Sequence, residues 1–229
     1  MAAPGSHKPA ATKAHPRRDD HKPRSRRDAH QPATPPGQGR EGGGEEEEVY
    51  VLTLETDPHL QRTMSALRGR YFPRRRLKVD AHITLFHALP GAHLPAIAAD
   101  IASVAAATVP FGVTAETETP FRMRRGVGVR VAGLGPAARV REELRGRWGV
   151  GGHAWLSDQD EGRWRGHYTL VNKCDDEEVL GACESEVKGL GVLKGRAVGL
   201  GLWAYERGYW KGVESWEFAG EKQRNLVGR

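Results

Sequence analysis

The sequence predicts an α+β fold of two pseudo-symmetric lobes, each with an antiparallel sheet lining a central cleft and helices outside. Three observations carry this. β-like and helix-like segments alternate from residue 49 to about 220. The order strand–helix–strand–helix–strand covers about 49–117 and recurs over about 127–206, with one further strand after it. The tetrapeptide His82-Ile83-Thr84-Leu85 returns 85 residues later as His167-Tyr168-Thr169-Leu170. That offset carries the helix after the first tetrapeptide onto a helix, 111–117 onto 196–202, and 126–132 onto 211–217. Chance tetrapeptides would not keep their context in register, and alternating strands and helices bury their apolar faces as layers.

The elements follow in order. VYVLTLE (49–55) alternates and is rich in β-formers, so it reads as a strand. Asp57-Pro58 opens a helix to about Arg70, with Leu60, Met64 and Leu67 on one face. AHITLFHAL (81–89) is a strand stopped by Pro90-Gly91. Residues 93–107 are helical, with Leu94, Ile97, Ile101 and Val104 at spacings of 3, 4 and 3. Strands are expected at 111–117 and 126–133, a basic helix at 137–148, and a strand at 166–172. A helix with acidic residues in its first turn follows at 175–190, which suits the dipole. Two strands, 195–208 and 209–220, close the chain around a turn at Gly208.

Composition limits the rest. The chain has 229 residues, 35 basic and 29 acidic, with a net charge of +6, so an anionic partner is favoured. It has no run of 18 apolar residues, which argues against a membrane span, and its start has no apolar signal core. Cys174 and Cys183 are too few for a disulfide framework or a cysteine-rich zinc site, so an intracellular location, cytoplasmic or nuclear, is expected. Residues 1–48 hold 7 of the 14 prolines and end in GREGGGEEEE; they are read as a disordered tail. Residues 49–229 then form one bilobal domain, with lobes of about 49–125 and 126–220, expected to be a monomer.

Alternation along a strand puts His82 and Thr84 on one face, and His167 and Thr169 likewise. Ile83, Leu85, Tyr168 and Leu170 face the other way, into packing. A pseudo-twofold would bring both polar pairs to one cleft. One neutral and one protonated imidazole suit acid–base catalysis near neutral pH, and hydroxyl donors suit the oxygens of a phosphodiester. No metal or cofactor is needed. Such a pair predicts a bell-shaped pH–rate profile with both limbs around pH 6–8.

The paired His-x-Thr-hydrophobic motifs, one per half of a bilobal α+β domain, resemble the two-histidine (2H) phosphoesterase superfamily, which includes 2′-5′ RNA ligase-like proteins and cyclic nucleotide phosphodiesterases. The resemblance covers about 49–218, and His-Tyr-Thr-Leu-Val-Asn-Lys at 167–173 is similar to a subgroup of the 2′-5′ RNA ligase-like proteins. It implies that His82 and His167 are the catalytic acid and base, and that Thr84 and Thr169 bind the phosphate. It also implies RNA ends or nucleotides with 2′,3′-cyclic or 2′-5′ phosphodiester links as substrates, opened by hydrolysis or joined in reverse. The pseudo-symmetry leaves open which histidine is the acid.

Other residues have plainer readings. His87 lies at odd offset from His82 and reads as structural; His153 is unassigned. Arg122, Arg124, Arg125, Arg163 and Arg165 either meet an RNA backbone or are solvated surface. Trp203, Tyr205, Tyr209 and Trp210 either stack a base or pack in the core. Cys183 reads as a small core residue. Two other functions fit less of the sequence. One is an RNA-end or nucleotide binding module without turnover, against which both intact motifs argue. The other is a metal hydrolase, for which no third ligand stands near either histidine.

Overall fold

The computed structural model describes residues 48–149, 155–206 and 208–220. Its elements run β1 (Val49–Thr56), α1 (Pro58–Tyr71), β2 (Ile83–Pro90), α2 (Leu94–Ala107), β3 (Phe111–Ala115), β4 (Phe121–Met123), β5 (Gly126–Ala132), α3 (Gly135–Trp148), α4 (Asp158–Glu161), β6 (His167–Val171), α5 (Glu177–Gly189), β7 (Leu193–Glu206) and β8 (Tyr209–Glu217). The α+β class holds, and every strand pairing is antiparallel. Two short elements carried no sequence signal: β4 is three residues long and α4 four.

Local chemistry accounts for the boundaries. The Asp57 carboxylate accepts from the backbone N–H of His59 at 3.0 Å and of Leu60 at 3.2 Å, and Pro58 occupies the first helical position, so α1 starts there. Its other oxygen accepts from the N–H of Arg196 at 2.6 Å, which ties the start of α1 to β7. Asp176 caps α5 in the same way. Gly208 has φ 90°, the left-handed region that the turn between β7 and β8 requires.

The sheets do not segregate by sequence half. β2 pairs β1, β1 pairs β7, and β7 pairs β8. β6 pairs β5, which in turn pairs β3 and β4. Each motif strand therefore sits with the first strand of its own half and the third strand of the other half. β3 and β7 then pair with each other through Phe111↔Ala197 to Ala115↔Leu193 and join the two groups. The lobe division expected near residue 125 separates the repeats in sequence but does not separate the sheets. An antiparallel pairing between equivalent strands is its own pseudo-twofold, and it passes the third strand of each repeat to its neighbour.

β2 and β6 are both edge strands, since each pairs with one neighbour only. Helices cover the outer faces. Leu60, Met64 and Leu67 of α1, Ile97, Ile101 and Val104 of α2, Val140 and Leu144 of α3, and Leu180, Cys183 and Val187 of α5 are all buried. Although α1 connects β1 to β2, it packs against β6. Glu48 belongs to the domain and not to the tail: its carbonyl accepts from Gly91 N–H at 2.7 Å and its carboxylate from Tyr50 OH at 2.8 Å. The rest of the expected tail, and His153, lie outside the described residues.

Candidate active site

The burial pattern of the motif strands follows the alternation. Ile83, Leu85, Tyr168 and Leu170 are fully buried, while His82, Thr84, His167 and Thr169 are half-buried on the opposite face. Tyr168 fixes the second motif from behind, its hydroxyl 2.9 Å from Thr56 Oγ1 at the end of β1.

The two histidines are held in the same way. His82 Nδ1 donates to the carbonyl of Asp80 at 2.7 Å, and His167 Nδ1 donates to the carbonyl of Arg165 at 2.9 Å. A carbonyl can only accept, so Nδ1 carries the hydrogen in both rings. Nε2 is then the nitrogen that gains or loses a proton. Each ring also meets an aromatic: His82 lies 4.4 Å from the Trp210 ring, and His167 lies edge-on to Phe121 at 5.6 Å. The rings are close enough for the charge of one to act on the other.

Burial pushes His82 down to about 3. The Arg68 charge is the next cause, and His167 and His87 add to it against the upward pull of the Asp80 hydrogen bond. Burial thus favours the neutral form of His82.

Both motif threonines have their edge-strand carbonyls taken from across the cleft. Trp164, three residues before His167, donates its indole N–H to Thr84 O at 2.7 Å. Arg68 on α1 donates to Thr169 O at 2.6 Å and, through Nε, to Val79 O at 3.0 Å. Neither residue stood out in the sequence. The signal for Arg68 was present: it lies four residues after Met64 on a face otherwise apolar, and its side chain is buried.

A cavity of about 640 Å³ opens beside His82, with Trp203, Trp210, Lys78, Asp80 and Glu55 among its walls. His167, Thr84 and Thr169 do not line it. Trp203 is part wall and part frame, since its indole N–H donates to Thr53 Oγ1 at 2.9 Å. Tyr209 is exposed, with the Lys78 ammonium 4.0 Å above its ring.

Other residues settle into structural roles. Asp160 is buried and accepts from the backbone N–H groups of His87 and Ala88, from Ser157 Oγ and from the His87 ring. His87 is thus tied to Asp160, while the pairing of β1 with β2 is irregular at Leu85–Phe86 and breaks the alternation on which its odd offset relied. Arg122 pairs with Glu177 and Glu184, and Arg125 with Asp175, so two of the three clustered arginines are already spent on neighbours. Cys183 is a core residue whose thiol burial pushes up to about 12. Among the described residues, no helix is long and apolar enough to cross a membrane, and no group of three metal-ligating side chains converges.

Comparison with known proteins agrees with this architecture. A family profile described as the 2′-5′ RNA ligase superfamily matches residues 56–208. The chain belongs to that superfamily, the two-histidine phosphoesterases. Its fold is similar to TT0787 of Thermus thermophilus, with a TM-score of 0.52 at 14% identity over 76% of this chain and 99% of that one. It is likewise similar to Escherichia coli LigT solved with 3′-AMP, with a TM-score of 0.51 at 14% identity and the same coverage of both chains. A structure described as a phosphoesterase gives 0.50 at 14% identity, again over 76% and 99%. At such identity these likenesses speak to the fold. No curated protein matches the sequence.

Proposed function

We propose that the protein is a metal-independent phosphodiesterase acting on 2′,3′-cyclic or 2′-5′ phosphodiester bonds at RNA ends or in nucleotides. The observation that carries this reading is the matched pair of His-x-Thr edge strands with both imidazoles held through Nδ1 to the carbonyl two residues back. The superfamily's phosphoesterase character and the 3′-AMP bound by LigT point to the same class of substrate.

With a cyclic phosphate between the rings, one Nε2 takes a proton from water as its oxygen bonds to phosphorus. The other Nε2 gives a proton to the ribose oxygen whose bond to phosphorus breaks. The products are a phosphomonoester and a free ribose hydroxyl. Thr84 and Thr169 hydroxyls donate to the non-bridging oxygens, where negative charge builds. With a 5′-hydroxyl in place of water as the nucleophile, the same two proton transfers form a 5′-oxygen–phosphorus bond as the ring opens, which is ligation and the reverse of cleaving a 2′-5′ diester.

Turnover of a 2′,3′-cyclic nucleotide, measured with a strong chelator present, tests the reading. Activity is expected to persist in chelator and to fall by roughly 10²–10⁴ in His82→Ala and in His167→Ala. Full activity in either variant, or activity abolished by chelator, would overturn it.

A further inference from the structure

We propose that the cavity beside His82 is a nucleobase pocket that selects guanine, and that Glu55 is the residue that reads the base. The proposal rests on the phosphodiesterase reading and goes beyond it by naming the base of the nucleotide that is held.

The cavity lies to one side of the paired motifs. It reaches His82 but not His167, Thr84 or Thr169, so it takes a part of the substrate that does not react. Its volume of about 640 Å³ is within the usual range for a small-molecule site, about 300–1,000 Å³. Its walls include two indoles, Trp203 and Trp210, with ring centroids 6.4 Å apart and planes tilted by 40°. Trp203 is pinned through its N–H to Thr53 Oγ1, and Trp210 leans on the His82 ring. Flat apolar faces beside the His82 imidazole suit a heterocyclic base better than a sugar or a phosphate.

The patch around Glu55 points to the kind of base. Thr53 and Glu55 of β1 lie opposite Gly201 and Gly199 of β7. A Cβ at residue 201 would stand 2.7 Å from Glu55 Oε1, 3.1 Å from Trp203 Nε1 and 3.3 Å from Thr53 Oγ1, and would push the carboxylate aside. A Cβ at residue 199 would stand 2.5 Å from Trp216 O and 3.3 Å from Glu55 Oε2. Glycine weakens a strand interior, and here two of them keep space around one carboxylate. Ser215 on β8 donates to Glu55 Oε1 at 2.7 Å and fixes its orientation; it is the one hydrogen-bond partner of Glu55 among the described residues. Thr53 cannot read a ligand, because its Oγ1 accepts from Trp203 and donates to Gly201 O. A carboxylate in the wall of a site for phosphate esters repels the phosphate, so its use lies with N–H donors elsewhere on the substrate. On a nucleotide those donors belong to the base. Guanine alone offers two side by side, N1–H and N2–H, which match the two oxygens of one carboxylate. Adenine and cytosine offer a single amino group, and uracil a single N–H between carbonyls that a carboxylate repels.

The test uses the full chain, as wild type and as Glu55→Gln. Binding of 3′-GMP, 3′-IMP, 3′-AMP, 3′-CMP and 3′-UMP is read by isothermal titration calorimetry, and kcat/KM is read on the matching 2′,3′-cyclic nucleotides. Wild type is expected to bind 3′-GMP at least about tenfold more tightly than the other four. Hypoxanthine differs from guanine only in lacking the N2 amino group, so 3′-IMP removes one of the two hydrogen bonds without altering the protein. Glu55→Gln replaces one acceptor by a donor, so the two guanine N–H groups cannot both be met and the preference should shrink to about threefold or less. The order of kcat/KM should follow the order of binding, with the differences falling in KM. Equal binding of 3′-GMP and 3′-AMP by wild type overturns the proposal, as does 3′-IMP bound as tightly as 3′-GMP, a guanine preference that survives Glu55→Gln, or no binding of any of the five. If Glu55→Gln does not fold, the 3′-IMP comparison decides alone. Binding needs no turnover, so the two readings fail separately. A protein that prefers 3′-GMP through Glu55 and hydrolyses none of the cyclic substrates keeps the guanine pocket and loses the phosphodiesterase reading; one that hydrolyses all of them equally does the reverse.

Discussion

At the scale of the residue, the site is two imidazoles with one tautomer and unequal surroundings. Nδ1 of each is committed to a carbonyl, so rotation that would present the wrong nitrogen costs a hydrogen bond of about 0.5–1.5 kcal/mol. A double variant, His82→Ala with His167→Ala, should be little slower than either single one, because the two act as a unit; kcat/KM of the three proteins measures this. The pH profile is expected to depart from the bell around 6–8 of two ordinary histidines. Burial, with Arg68 behind it, lowers His82. With His82 as the base, its lowered titration keeps it active further into acid, so the acid limb should then move well below the ordinary histidine value of about 6.5. A steep loss of kcat/KM between pH 7 and 6 would show that His82 is not held neutral.

At the scale of the element, the motif strands are edges, and edges leave backbone groups unpaired. The fold satisfies them with side chains from elsewhere: Arg68, Trp164 and Arg141 take carbonyls of β6 and β2, and Asp160 takes N–H groups of β2. These ties occupy backbone groups on the free edges of β2 and β6. Asp160→Ala should cost about 2–4 kcal/mol, since it strands two buried N–H groups and the His87 ring. Burial alone would raise the Asp160 carboxyl, but the hydrogen bonds and charge of His87 outweigh it and hold it below its ordinary value. Its contribution is therefore fully present above about pH 4 and is lost as pH falls through the lowered value. Denaturant unfolding of wild type and Asp160→Ala at pH 7 and pH 3 measures it: the gap between them should shrink in acid.

At the scale of the whole molecule, the exchange of third strands between the two repeats makes the halves interdependent. β7 pairs with strands of both repeats, β1 on one hand and β3 on the other. Neither half is then a folding unit, and expression of 49–125 alone should yield no cooperative unfolding transition by circular dichroism. Removing residues 1–47 while keeping Glu48 is expected to leave Tm and turnover unchanged. Removing Glu48 as well takes away the acceptor of Gly91 N–H and of Tyr50 OH and should lower Tm. Thermal melts of the two truncations distinguish the cases.

Strand and helix periodicity, the Asp57-Pro58 start and the Gly208 turn are local, so the sequence by itself determined every element but the short β4 and α4 to within a few residues. The His-x-Thr repeat is local too, and alternation along a strand determined that His82 shares a face with Thr84 and His167 with Thr169. What pairs with what was decided only in three dimensions. Strand partners depend on long-range hydrogen bonds that leave no mark on either strand alone, so the passing of β3 and β7 between the repeats was not legible. The same holds for the ties across the cleft. An arginine on an apolar helix face and a tryptophan before a strand acquire meaning from the carbonyls they meet, 101 residues away for Arg68 and 80 for Trp164. The two motifs are almost identical as strings, and only the fold decides that Arg68 holds Thr169 O in one while Trp164 holds Thr84 O in the other.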